Sequence, residues 1–182
     1  MAERQKHGFM FEQYCAERYN LTLNEDYTAR FDALTEDGVP VSIKCEKFGS
    51  DVELADLFRN AENDTDFILI VGFWETEKTN IIDIKSCFIN ASKWKALFDQ
   101  NLLLQYRELL ASITNERSDD AKWSAAIKEL RTKWGKSTGN IIRPRPKRDH
   151  KTQKRVQCAI NNKDFYSKVC GGLFDELCNY EK

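Results

Sequence analysis

The spacing of apolar positions changes character several times along the chain, and each change marks an element. Phe9, Met10, Phe11, Tyr14, Cys15 and Tyr19 recur at helical spacing and predict an amphipathic helix over residues 8 to 19, with Glu12 beside the apolar stripe. Residues 27 to 34 and 39 to 45 alternate or favour extended structure on either side of the tight-turn sequence Glu36-Asp37-Gly38, and together predict a β-hairpin. After a break at Gly49-Ser50, Leu54, Leu57, Phe58 and Ala61 share one helical face, which predicts a helix over residues 51 to 61 capped by Ser50 or Asp51. Phe67-Ile68-Leu69-Ile70-Val71-Gly72-Phe73-Trp74 is a continuous apolar run of strand length, as expected of a central strand covered on both faces. Residues 80 to 85 predict the strand beside it.

The interval from Gly72 to Gly135 contains no other glycine, and no proline separates Val41 from Arg143. Within it Leu102, Tyr106, Leu109, Leu110 and Ile113 mark one helix, and Trp123, Ile127, Leu130 and Trp134 mark another. Gly135-Lys136-Ser137-Thr138-Gly139 predicts a loop, and the chain ends in a helix carrying Tyr166, Val169, Leu173 and Leu177 that Gly171-Gly172 would kink or shorten. The order is that of an α/β domain spanning residues 1–182, with a mixed central β-sheet flanked by helices rather than a βαβ repeat. Its core would occupy about 8–98, an added helical segment about 99–135, and a basic arm with the C-terminal helix about 140–182.

Composition narrows the chemistry. With 182 residues, 41% hydrophobic and 12% aromatic, the chain can build a real core. No apolar run follows Met1-Ala2-Glu3-Arg4-Gln5-Lys6-His7 and no eighteen apolar residues are consecutive, so a soluble, cytoplasmic protein without a membrane span is expected. The six cysteines, Cys15, Cys45, Cys87, Cys158, Cys170 and Cys178, form no C-x-x-C pair and read as reduced, mostly buried thiols rather than zinc ligands. Two histidines, His7 and His150, leave little room for histidine-dependent nucleophilic catalysis. Carboxylates, a lysine and a hard metal ion need no histidine.

Charge is segregated. Residues 1 to 140 carry 18 Lys or Arg against 24 Asp or Glu, whereas residues 141 to 182 carry ten against five. Seven of those ten lie between Arg143 and Arg155. Such a stretch suits a polyanion, whose binding would be strongly salt dependent; it equally suits a solvated basic loop. Pro144 and Pro146 keep its start extended, suited to lying along a groove.

The hairpin carries the candidate chemistry. Alternation puts Ser42, Lys44 and Glu46 on one face of its second strand and Val41, Ile43 and Cys45 on the other, with Asp32 across the hairpin. An acid, a lysine and further oxygen ligands converging in this way suit metal-assisted phosphodiester hydrolysis. An Asp before a turn and a Lys on a strand also suit an inert surface hairpin.

Helix-borne Glu12, the hairpin with Asp32 and Ser42-Ile43-Lys44, the following Phe58-Arg59-Asn60 and the apolar strand over residues 67 to 74 together resemble the PD-(D/E)XK nuclease superfamily, and within it the type II restriction endonucleases. The resemblance covers roughly residues 8 to 85. It implies a restriction-endonuclease-like fold, Mg²⁺ as cofactor, double-stranded DNA as substrate and a homodimer. Carried over by position, Asp32 would bind metal, Ser42 would stand at the second acidic position, and Lys44 would serve the attacking water. Serine there departs from the family pattern, and a neutral hydroxyl is a weak ligand, so another carboxylate must compensate: Glu12, then Glu46, then Glu53. The metal set would be Asp32, Glu12, the Ile43 backbone and Glu46. Lys47, Arg59, Asn60, Arg143, Arg145, Lys147, Arg148, His150, Lys151, Gln153, Lys154 and Arg155 are the candidate DNA contacts, with Arg and Gln, including Gln157, suited to base edges and Lys to phosphates. The alternative is a nuclease-fold protein that has lost catalysis and kept its hold on DNA.

Overall fold

In the computed structural model, residues 3–26, 28–75, 80–112, 120–137, 141–148 and 154–176 are described. The architecture is mixed α/β, and the chain forms two compact units, each assembled from separated stretches of sequence. The first takes Met1–Val52, Asp64–Lys93 and Asn162–Lys182; the second takes Glu53–Asn63 and Trp94–Asn161.

The first unit contains α1 (Glu3–Tyr19), β1 (Thr22–Leu23), β2 (Ala33–Leu34), β3 (Pro40–Lys47), β5 (Phe67–Trp74), β6 (Ile81–Ile89) and β9 (Asp175–Glu176). These strands form one sheet in the order β1-β2-β3-β5-β6-β9. β3 and β5 are parallel, and every other neighbouring pair is antiparallel. β5 is central, and seven of its eight residues are buried, because both faces are covered. On one face Ile68 and Ile70 pack with Phe11 and Cys15 of α1 and with Ala33, Val41 and Ile43. On the other, Phe73 meets Phe165 and Tyr166, at ring-centroid separations of 5.9 and 5.4 Å. The continuous apolar run therefore carries the meaning it had in sequence.

Phe165 and Tyr166 belong to a helical segment that begins as α6 (Asn162–Asp164) and continues with π winding over Phe165–Leu173. It is shortened at Gly171-Gly172, where Gly172 has φ 124 and the backbone leaves helical geometry. β9 follows, while Leu177 of the expected helix lies outside the described residues.

The second unit contains α2 (Leu57–Ala61), α4 (Gln100–Ser112), α5 (Asp120–Ser137), β7 (Ile142–Arg148) and β8 (Lys154–Ile160). β4 (Val52–Asp56) enters it from the first unit, and α3 (Ala91–Lys95) bridges the two stretches in sequence. Its three-stranded sheet has the order β4-β8-β7. The two helices expected over the glycine-free interval are α4 and α5, with Leu102, Tyr106, Trp123, Ile127, Leu130 and Trp134 buried; Ile113 lies outside the described residues.

Five expectations need correction. The helix over residues 51 to 61 is instead β4 followed by the five-residue α2: Val52 and Leu54 are buried on either side of half-buried Glu53, a period of two, and the sheet takes them. The helix cap is Asp56, whose carboxylate accepts from Arg59 N at 2.8 Å, rather than Ser50 or Asp51. The first hairpin strand shrinks to Ala33–Leu34, so Asp32 precedes it, and the loop from Gly135 begins only after α5 ends at Ser137. The basic segment is extended at its start as expected, but it is a paired strand rather than a separate arm: β7 runs antiparallel to β8, whose first residues, Lys154 and Arg155, are the segment's last. Pro144 and Pro146 are tolerated because β7 is the outer strand; two residues apart, both present their missing donor to the same side, the open edge.

Candidate active site

A short β2 makes the site. It pairs with β3 only at Leu34–Pro40 and Ala33–Val41, so beyond Val41 the edge of β3 has no β2 residue opposite it. Side chains fill that gap. Asp32 Oδ2 accepts from the Ile43 amide at 2.6 Å, from Lys44 Nζ at 3.0 Å and from Ser42 Oγ at 3.3 Å. Lys44 Nζ also donates to the Ile43 carbonyl at 2.9 Å. The turn holding this register is closed by Thr35 N to Val39 O and Gly38 N to Thr35 O, with Gly38 at φ 78, where a side chain is disfavoured.

Glu12 approaches from α1, half-buried. Burial is the main cause of its raised pKa; the Asp32 carboxylate pushes the same way and the Lys44 ammonium opposes both. Its charge is therefore coupled to both members of the Asp32–Lys44 pair. Glu12 owes its place to its neighbour Phe11, whose ring lies so close over Gly72 of β5 that an added Cβ would fall 2.3 Å from it. Sequence reasoning missed this positioning contact. A lone glycine inside a bulky apolar strand was the available signal, since it marks close approach of another group.

The other predicted residues divide between the two units. Glu46 is half-buried on the strand face of Ser42 and Lys44, and its charge raises the Cys45 thiol after burial has done most of the work, to about 11. Lys47 is exposed at the end of β3, its carbonyl accepting from Ser50. Arg59 and Asn60 sit on α2 in the second unit, where the Asn60 amide bonds the carbonyls of Leu54 and Asp56 and so braces a local turn. Glu53, weighed as a metal ligand, forms an ion pair with Arg145 in that same unit. Arg143, Arg145 and Arg155 lie on the β7–β8 hairpin. Lys147, Arg148 and Lys154 hold strand positions there, but their side chains lie outside what is described, as do His150, Lys151 and Gln153 altogether.

The cysteines follow the expectation of buried thiols. Cys15, Cys87, Cys158 and Cys170 are buried and Cys45 is half-buried, all without disulfides; Cys178 lies outside the described residues. Among the described helices none is long and apolar enough to cross a membrane.

The donor set suits a hard divalent cation in kind. Asp32 and Glu12 supply carboxylates, Ile43 a carbonyl and Ser42 a hydroxyl, and a positive group, the Lys44 ammonium, already bridges Asp32 Oδ2 and Ile43 O. Among the described residues no three His, Cys, Asp or Glu side chains cluster as a complete cage. A site of two carboxylates plus backbone and water oxygens is the kind Mg²⁺ accepts, since it retains much of its hydration. The sequence matches no protein-family model and no curated protein, so the chemistry of this site stands on its residues alone.

Proposed function

We propose that this protein is a Mg²⁺-dependent endodeoxyribonuclease of the type II restriction class, hydrolysing phosphodiester bonds of double-stranded DNA at a short specific sequence, in the cytoplasm and as a homodimer. The observation that carries the reading is the convergence of Asp32, Ser42, the Ile43 backbone and Lys44 within 3.3 Å, with Glu12 coupled to them. A magnesium ion held by Asp32, Glu12 and the Ile43 carbonyl would polarise the scissile phosphate and acidify a bound water. Asp32 and Glu12 contribute the negative charge that draws a divalent ion. Lys44 Nζ, on its four-carbon stem, would leave Asp32 Oδ2 and Ile43 O and donate to the attacking water and to the phosphate oxygen that gains charge. Ser42 Oγ braces Asp32 Oδ2 and so orients the carboxylate. The homodimer follows from symmetry, because a two-fold recognition sequence favours a two-fold protein.

One observation favours a second reading, a nuclease-fold DNA-binding protein without catalysis. Serine replaces an acid at position 42, and Asp32 Oδ2 already has three donors, so the site is satisfied without metal. A nicking assay on supercoiled plasmid with and without Mg²⁺ separates the two. Cleavage that needs Mg²⁺ and is lost in Asp32→Ala and Lys44→Ala, with the gel shift retained, supports the enzyme. Full cleavage by either variant refutes the assignment, and a gel shift without nicking favours the inactive binder.

A further inference from the structure

Two buried cysteines touch. Cys87 lies on β6, and Cys170 lies in the π-wound stretch Phe165–Leu173, 83 positions along the chain and in the same compact unit. Their sulfurs are 3.4 Å apart, thiol hydrogen-bonded to thiol, and neither is in a disulfide. Cys87 is 0% exposed and Cys170 9%, so only Cys170 has an opening to solvent. The contact is held from both sides. Earlier in the same stretch, Tyr166 donates to Asp83 Oδ2 of β6 at 2.6 Å and stacks on Phe73; beyond it, Glu176 of β9 pairs with Cys87 itself. Asp83 and Cys87 point to one face of the sheet, the face that this stretch covers. Immediately after Cys170 the backbone leaves helical geometry at Gly171-Gly172, where no side chain restricts its adjustment.

We propose that Cys87 and Cys170 are a redox modification site, which a small hydroperoxide such as hydrogen peroxide converts to a disulfide that latches residues 162–176 onto β6. The inference stands apart from the nuclease reading. A disulfide holds its sulfurs about 2.05 Å apart, so about 1.4 Å must close, a distance that side-chain rotation and the glycine pair absorb. Oxidation begins at Cys170, the thiol with a surface. Its sulfur attacks the peroxide O–O bond, which breaks to give Cys170 sulfenic acid and one water. The Cys87 sulfur then attacks the Cys170 sulfur: the S–S bond forms, the S–O bond breaks, and hydroxide leaves with the Cys87 proton as a second water. Two thiols lose two electrons and two protons, and one peroxide takes them up. Buried thiols as a class are inert because oxidants rarely reach them. Here local opening at Gly171-Gly172 admits a molecule as small as peroxide, and closing returns the sulfenic acid to a thiol already in contact range. The cross-link restricts a long loop of the unfolded chain and holds Tyr166 against Phe73 and Asp83 by suppressing the opening that would separate them.

The test treats the folded, reduced, full-length protein with hydrogen peroxide in EDTA, blocks the remaining thiols with iodoacetamide, and maps the unreduced digest by mass spectrometry. The expected product is a peptide pair joining Cys87 to Cys170 in a chain lighter by two hydrogens, reversed by dithiothreitol. Oxidised wild type should melt about 5 to 15 °C above the reduced protein, and the amides of residues 162–176 should exchange more slowly. Cys170→Ser should form no such link and should melt at the same temperature with and without peroxide, whereas Cys45→Ser should form the link as wild type does. The proposal is overturned if peroxide sufficient to oxidise the urea-unfolded chain leaves Cys87 and Cys170 unlinked in the folded one, or if either pairs with a different cysteine instead. It is equally overturned if Cys170 passes to sulfinic acid while Cys87 stays reduced, or if the link forms and neither melting nor exchange changes. Each of these readouts is made on wild type, so a variant that fails to fold does not decide the outcome.

Discussion

Under the proposed function, the Lys44 ammonium bridges the two oxygens, Asp32 Oδ2 and Ile43 O, that a divalent ion would use, and replacing it with methionine should therefore tighten metal binding even as it abolishes cleavage. Lys44 Nζ lies 3.0 Å from Asp32 Oδ2 and 2.9 Å from Ile43 O, the two oxygens offered to the metal. A magnesium ion needs those oxygens at about 2.1 Å, which leaves the ammonium within a few ångströms of a doubly charged centre. It must swing away, and the cost is the release of its bond to Asp32. The two side chains are 22% and 26% exposed, so the pair is neither a fully solvated surface bridge nor a sealed one. Solvated pairs contribute about 0.2 to 1 kcal/mol, and a hydrogen bond between charged groups withdrawn from water about 1.5 to 3 kcal/mol. An intermediate cost of about 1.4 kcal/mol corresponds to a factor of about ten in affinity. Lys44→Met keeps the stem length and removes the charge. Isothermal titration with Ca²⁺ and with Mg²⁺, without DNA, should show about tenfold tighter binding than wild type, and Asp32→Ala should show none. Equal or weaker binding by a folded Lys44→Met protein would refute the reasoning, because the lysine would then help to hold the metal rather than keep its place.

Two further outcomes follow from the same neighbourhood. Gly72→Ala would put a methyl group 2.3 to 2.8 Å from three atoms of the Phe11 ring, so α1 must shift; urea denaturation should show a loss of about 1 to 3 kcal/mol, which adding Phe11→Leu partly restores, and a neutral Gly72→Ala would disprove the contact. For Glu12, whose pKa is raised by burial and then by Asp32, folding disfavours the ionised form: the associated stability is complete at low pH and is lost as pH rises through the raised value. Glu12→Gln should therefore melt a few degrees higher than wild type at pH 7 in EDTA, with the difference disappearing by about pH 4, and a lower melting temperature at pH 7 would contradict the burial argument.

The central strand and its two covered faces were legible because burial on both sides leaves no polar alternation, and β5 has none. The helix over residues 51 to 61 was misread because Leu54, Leu57, Phe58 and Ala61 satisfy a helical period by coincidence. Val52 and Leu54 belong to a sheet whose other strands lie about a hundred residues away, and no local window contains them. That the extended basic segment pairs as a strand went unread for a similar reason. Two prolines argue against a central strand, but whether a strand is central or outer is decided by its partners. Glu53 illustrates the same limit at the level of one side chain: weighed as a metal ligand, it is the counter-charge of Arg145, 92 positions along the chain.

Short-range chemistry was thus readable from the chain itself: the run that becomes β5, the turn at Glu36-Asp37-Gly38, and Asp32, Ser42 and Lys44 brought together by a hairpin ten to twelve residues long. These depend on period and turn geometry, which neighbouring residues determine. Tertiary structure alone decided that β2 stops after two residues, which turns the Ile43 amide and carbonyl toward side chains, and that α1 lays Phe11 over Gly72 and so carries Glu12 to Asp32. Strand pairing and helix docking are set by which distant surfaces exclude water from one another, and that information is distributed over the whole chain.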